Sequence, residues 1–170
     1  MIPDQQYFSG LFTAPFGVLN VVASDLGVRY VMFENDAHPK PLDALNLQHD
    51  DSHDVMREVL SQLNEYFSGK RREFELPLDL HGTEFQVAAW KSLARIPFGR
   101  TSSYGEQAAS IGRPTAVRAI GGANGRNPVA VILPCHRVIG ANGSLTGFGG
   151  GIEVKKWLLQ HEQTVIATTR

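Results

Sequence analysis

Five apolar residues in unbroken series, Val129-Ala130-Val131-Ile132-Leu133, stop at Pro134 and deliver the chain's only cysteine, Cys135, followed at once by His136 and Arg137. A short run of this kind, rich in β-branched residues, reads as a strand buried on both faces. Pro134 ends it, because proline has no N–H to donate to a continuing ladder. A buried strand that hands Cys-His-Arg to a turn is a rigid mount for a nucleophile. A lone cysteine is more often a small, inert core residue. Here the polar pair beside it and the chain around it favour the reactive reading.

The 170 residues suffice for one domain or two small ones, and their charge divides unevenly. Residues 1–80 hold 6 Lys/Arg against 13 Asp/Glu, whereas residues 81–170 hold 10 against 4. An overall net charge of −1 therefore hides a −7 half and a +6 half. That split fits a nucleic-acid contact confined to the second half. One cysteine excludes an intrachain disulfide framework and a multi-cysteine zinc site, and fits a reducing compartment. No apolar run approaches membrane-spanning length. The start, Met1-Ile2-Pro3-Asp4-Gln5-Gln6, lacks the basic and apolar segments of a secretory signal, so a cytoplasmic protein without membrane contact is expected.

In the first half, strand and turn signals alternate over residues 7–33 and predict three strands of an antiparallel meander. Residues 34–51 are polar and read as loop. Val55, Met56, Val59, Leu60, Leu63 and Phe67 share one face of a helix over residues 53–67, with acids at its start. The acids account for themselves as caps, so His49, Asp50, His53 and Asp54 are not read as metal ligands. A strand over residues 73–80 closes a scaffold domain, residues 1–80, that carries no recognisable chemistry.

The second half, residues 81–170, is mostly helical. Thr83-Glu84-Phe85-Gln86 has the form of a capping box and opens a helix to about residue 95, with Phe85, Ala88, Ala89, Leu93 and Ile96 inward. Ser103-Tyr104-Gly105-Glu106 opens a second, stopped by Gly112. Pro114 sits where a third should begin, and that helix runs to about residue 123. The last two form a helix-turn-helix. On the third, Ala116, Val117 and Ile120 are expected inward. Thr115, Arg118, Ala119 and Gly122 form an outer face that is small except for one long cation, suited to entering a groove. The glycines at 121, 122 and 125 lack the Gly-Lys-Ser/Thr of a phosphate loop. A final helix spans residues 152–161, burying Val154, Trp157 and Leu158.

Pro134-Cys135-His136-Arg137-Val138 resembles the active-site signature of the O6-alkylguanine-DNA alkyltransferases. The likeness extends through Arg118-Ala119-Ile120-Gly121-Gly122-Ala123, Asn127-Pro128, Gly150-Gly151, Lys156-Trp157-Leu158-Leu159 and His161-Glu162, over about residues 82–162. The resemblance implies an α+β two-domain fold: an N-terminal antiparallel sheet with a helix, ribonuclease H-like, and a C-terminal winged-helix-like domain. It implies a monomer without cofactor or metal that binds alkylated double-stranded DNA from the minor groove and flips a nucleotide out. The alkyl group of O6-alkylguanine then passes irreversibly to Cys135. By the same resemblance Arg118 fills the gap left by the flipped nucleotide, and Tyr104, Gly105, Arg113, Thr115, Ala119 and Gly122 lie along the DNA. Tyr104 also helps protonate the departing guanine, Asn127 links recognition helix and active-site strand, and Cys135, Val138, Phe148 and Gly149 line the base. O4-alkylthymine repair is left open.

A thiol at its reference pKa of about 8.5 is mostly protonated near neutrality, so a base or cation must stand beside it. His136 fits that role if the chain turns after Pro134. A histidine base needs a carboxylate on its far nitrogen. Residue pattern alone does not separate Glu162 from Glu153; the resemblance selects Glu162, with a water carrying the proton between His136 and the thiol. Where many relatives carry Tyr-Ser or Tyr-Ala, this chain has Phe148-Gly149, which lacks the phenolic hydroxyl and any serine hydroxyl and is expected to leave room at the pocket rim. Two rivals are a Cys-His-Glu hydrolase, which turns over repeatedly, and a non-catalytic sensor of alkylated DNA, which typically lacks the cysteine.

Overall fold

The computed structural model describes residues 5–169; residues 1–4, most of the stretch read for a secretory signal, lie outside them. Strands β1 (Gln6–Ala14), β2 (Gly17–Ser24) and β3 (Gly27–Phe33) form the expected antiparallel meander. The sheet is nonetheless mixed. A fourth strand, β4 (Asn46–His49), runs parallel to β1 and gives the order β3-β2-β1-β4. It falls where a loop was expected because it is short and mostly exposed, so it has no apolar alternation to read. Gln6 holds it in place, its amide donating to the Asn46 carbonyl (2.9 Å) while its own amide oxygen accepts from Asn46 Nδ2 (3.1 Å).

Helix α1 (Asp54–Phe67) lays Met56, Val59, Leu63 and Tyr66 on the sheet. A Cβ on Gly10 would stand 2.8 Å from Met56 Sδ, so glycine in β1 lets the helix approach this closely. Residues 73–80 do not form the predicted strand. They run beside β3 with one bridge, Leu78 against Val28, whose N–H donates to the Pro77 carbonyl (2.9 Å). Pro77 has no N–H to extend the ladder. The opposite turn of the chain reaches the same strand: Val31 N–H donates to the Pro128 carbonyl (2.8 Å), and the Val31 carbonyl accepts from Ala130 N–H (3.1 Å). The halves thus share one apolar core, from Leu19 and Val31 to Val129 and Leu158.

In the second half both capping boxes form, at the starts of α2 (Glu84–Leu93) and α3 (Tyr104–Ser110). The buried face of α2 is Ala89, Trp90 and Leu93, while Ala88, expected inward, is exposed. Helix α4 (Val117–Gly125) starts later than Pro114 suggested. Pro114 sits instead in a turn closed by Ala116 N–H on the Arg113 carbonyl (2.9 Å), just after Gly112 at φ +73°. Ile120 and Ala123 pack on Ala89 and Ala108, but Val117, one turn earlier, is 43% exposed rather than buried. Gln107 and Asn124 exchange two buried amide hydrogen bonds (3.0 and 2.7 Å) that lock α3 to α4. A two-residue parallel pair, β5 (Ser102–Ser103) with β6 (Val138–Ile139), sits beside the start of α3. The last helix, α5 (Ile152–Thr168), is longer than expected and buries Lys155, Leu158, Glu162 and Val165; Val154 and Trp157 are half-buried.

Candidate active site

Residues 129–133 are buried as their composition demands, but they are not a strand. Ile132 N–H donates to the Ala130 carbonyl (2.8 Å) around Val131, whose φ of +71° is left-handed. Cys135 N–H donates to the Leu133 carbonyl (2.9 Å) around Pro134, at φ −83° and ψ 67°. The second is an inverse γ-turn. A β-branched residue in the left-handed region costs about 1–3 kcal/mol and persists only where its surroundings over-determine it. Asn127 helps to do so: its amide donates to the Leu133 carbonyl (2.7 Å) and accepts from Val129 N–H (3.1 Å). The segment satisfies its polar groups by local bonds, a single bridge to β3 and one asparagine, so it forms no continuous ladder, and the period-2 reading fails.

Residues 135–137 then make a single 3₁₀ turn, and all three side chains are buried. Burial pushes the Cys135 thiol up, while a hydrogen bond from Asn127 and the charge of Lys155 pull it back. His136 Nε2 meets Glu162 Oε2 at 2.7 Å inside the protein. Burial depresses the His136 pKa despite that carboxylate, which favours the neutral ring. With Nε2 donating its proton to Glu162, Nδ1 keeps a free lone pair, and this atom is buried without a partner among the described residues. Geometry and tautomer together make Nδ1 the basic atom of the site.

Glu162 is the hub. Burial by itself would raise its carboxyl, but His136 and Arg137 hold it well below the usual carboxylate range. Arg137 donates from Nε to Oε1 (2.9 Å) and from Nη2 to Oε2 (3.1 Å), and anchors Nη1 on the Ile96 carbonyl (2.6 Å). Gly99 N–H adds a bond at 2.9 Å and the Tyr66 hydroxyl another at 2.6 Å. Tyr66 belongs to α1, so the half read as devoid of chemistry supplies a donor to the hub. Tyr66 looks like any core aromatic of an amphipathic helix, and its sequence carries no sign of this role. Lys155 was also missed. It donates to the Val138 (2.6 Å) and Thr146 (3.3 Å) carbonyls, and burial lowers its pKa. Its signal was available: it occupies the same helical stripe as Leu158, Glu162 and Val165, where a charge calls for a buried partner.

Tyr104 is half-buried, its hydroxyl 2.8 Å from Thr146 Oγ1. Val138 is buried next to the 3₁₀ turn, and Phe148 packs edge-on against Phe33 of β3 (5.2 Å). The Gly149 carbonyl accepts from Ala37 N–H (2.9 Å), and a Cβ at 149 would lie 3.1 Å from Asp36 Oδ1. A side chain there would press on the first half's loop. Arg113, Thr115, Arg118, Ala119 and Gly122 are exposed together around the start and outer face of α4, with Gly105 half-buried at the start of α3. Of the histidines and acids near α1, His53 pairs with Asp25 (2.8 Å) and Asp50 accepts from Ser52.

A fold of this shape with this site has relatives. The family model for the 6-O-methylguanine DNA methyltransferase DNA-binding domain matches residues 84–164, and that for the ribonuclease-like domain matches residues 7–80. The chain belongs to the 6-O-methylguanine DNA methyltransferase family. Its two-domain α+β layout, sheet first and helices second, is the family's. A methylated-DNA–protein-cysteine methyltransferase of Methanosarcina acetivorans is 41% identical over 155 residues, 91% of this chain and 97% of that one. One of Mycobacterium bovis is 58% identical over 106 residues, 62% of this chain; the match spans 64% of that relative's length. The crystal structure of Mycobacterium tuberculosis OGT in complex with DNA superposes with a TM-score of 0.85 at 41% identity, covering 94% of each chain.

Proposed function

We propose that this protein repairs DNA by direct reversal, moving the alkyl group of O6-alkylguanine to Cys135 once per molecule. The observation that carries this is His136 in the same turn as the chain's only thiol, its Nε2 on Glu162 and its Nδ1 buried without a partner among the described residues. His136 Nδ1 takes the thiol proton through a water, and the thiolate attacks the alkyl carbon. A carbon–sulfur bond forms as the carbon–oxygen bond breaks, and the electron pair stays on guanine, which gains a proton with the help of Tyr104. Because the base edge is hidden by stacking, the nucleotide must leave the duplex. Helices α3 and α4 act as the helix-turn-helix of a winged-helix-like domain on the minor groove. There Arg118 fills the vacated stack, with Tyr104, Gly105, Arg113, Thr115, Ala119 and Gly122 along the strand. Val138, Phe148 and Gly149 face the flipped base. The domains divide at residues 80 and 81, the first being ribonuclease H-like, and the protein works as a cytoplasmic monomer without cofactor.

The test is a duplex carrying labelled O6-methylguanine. One label per chain should appear on the protein, and none on Cys135→Ala, whose duplex affinity should stay within about twofold because a small thiol adds little to backbone contact. Repeated turnover, or label on the alanine variant, would overturn the reading.

A further inference from the structure

Where β3 meets α2 and the C-terminal end of α4, the two halves leave a cavity of about 220 Å³. Its wall includes Arg29, His38, Lys40, His81 and Arg126, and among the described residues no carboxylate lines it. Arg29 and Lys40 are two of only six lysines and arginines in the acidic half, yet both converge on this seam. The acids near these groups are engaged: Asp79 holds Ser24 (2.7 Å) and His81 (2.8 Å), and Asp36 accepts from His38 N–H (2.8 Å).

Among the described residues none of Arg29, Lys40 and Arg126 takes part in an ion pair. Arg29 lies over the Tyr30 ring (4.3 Å), and its Nε is buried with no hydrogen-bond partner among those residues. Lys40 Nζ reaches the Arg126 carbonyl at 3.4 Å, a weak contact. Burial pushes the Lys40 ammonium down, Asp36 pulls it back, and Arg126 and Arg29 add their repulsion. Like charges drawn together in a partly desolvated recess repel one another unless an anion joins them. A tetrahedral oxyanion offers acceptors on every side, and a guanidinium fork binds two of its oxygens at once.

We propose that this cavity is a phosphate-binding site, with Arg29 as the fork and Lys40 and Arg126 closing on the remaining oxygens. The phosphate has two candidate sources. Arg126 caps α4, whose outer face bears Arg118, so a backbone phosphate of bound DNA is one; that source rests on the function proposed above. Free phosphate is the other.

The experiment compares wild type with Arg29→Gln and with Arg126→Gln, an exposed position whose substitution leaves the core untouched. Inorganic phosphate is titrated at constant ionic strength by ³¹P line broadening, and duplex affinity is measured across a salt series. Saturable phosphate binding, weakened at least about tenfold in both variants, is expected. If the source is DNA, phosphate competes with duplex and the slope of log affinity on log salt falls by about 0.9 in each variant. Saturable binding with an unchanged slope and no competition identifies free phosphate as the source. Phosphate effects that do not saturate, or that are equal in all three proteins, combined with an unchanged slope, overturn the site. Reaction with free O6-benzylguanine, followed in parallel, should be unchanged in both variants. Its absence in wild type sinks the alkyl-transfer reading without touching the inorganic-phosphate arm.

Discussion

The two halves bury polar groups to different ends. Among the described residues the first half buries Ser24, Gln62 and Asp79, each tied into its own frame: Ser24 to Asp79, and Gln62 to both backbone groups of Glu75. The second half buries Ser92, Gln107, Asn124, Asn127, His136, Arg137, Lys155 and Glu162, four of them ionisable. Removing charges from water costs several kcal/mol per ion unless partners replace the solvent, so a fold selected for stability alone would not gather them. The first half is built as a support, and the second spends stability on a poised site. Among the described residues the one buried hydrogen bond between side chains of the two halves is Tyr66 to Glu162, with both groups at most 1% exposed.

This contrast can be broken at the hub. Glu162→Ala leaves Arg137 and His136 buried without their carboxylate and should cost about 3–5 kcal/mol. Urea unfolding measures it, and a loss under about 1 kcal/mol would mean that the hub is not desolvated. The same group sets the response to acid. Its folded pKa lies below the unfolded value near 4.5, so its stabilisation is present above that value and fades as pH falls below it. His136, depressed below 6.5, has the same sign, because the unfolded state takes up its proton first as pH falls. Stability should therefore decline from pH 7 toward 4.5 through His136 and further below 4.5 through Glu162; a flat profile below 4.5 would contradict the paired, ionised hub.

Tyr66→Phe asks whether the support half is more than a support. A hydrogen bond to a charged group contributes about 1.5–3 kcal/mol, and phenylalanine keeps the ring packing. Loss of stability in that range is expected, with slower transfer both to duplex lesions and to free O6-benzylguanine, because the hub orients His136 in either case. Unchanged rates and stability would confine the chemistry to the second half. Arg118→Ala separates DNA opening from chemistry within that half. Transfer from duplex should slow by about tenfold or more, a barrier change of about 1.4 kcal/mol, while reaction with free O6-benzylguanine stays within about twofold. Equal losses on both substrates would make Arg118 part of the pocket.

Sequence determined what depends on neighbours along the chain. The meander of β1 to β3, the amphipathic α1 and both capping boxes follow from spacing of two, three or four residues, and the structure has them. Cys135 and His136 were legible because they are adjacent. Burial of residues 129–133 was legible as well, but not their shape, because an apolar run specifies where a segment goes and not which bonds satisfy its backbone. Asn127 decided that, from outside the run. Spacing alone could not choose between Glu162 and Glu153. Nine residues apart on α5 is two and a half turns, so one carboxylate must face away when the other faces in. Packing of α5 against the 3₁₀ turn sent Glu162 inward and left Glu153 exposed beside Lys156 (3.5 Å). Tyr66 lies 96 residues from Glu162 along the chain, and Arg29 lies 97 from Arg126. Groups at that separation leave no periodic trace, since they come together only once the two halves have packed on each other.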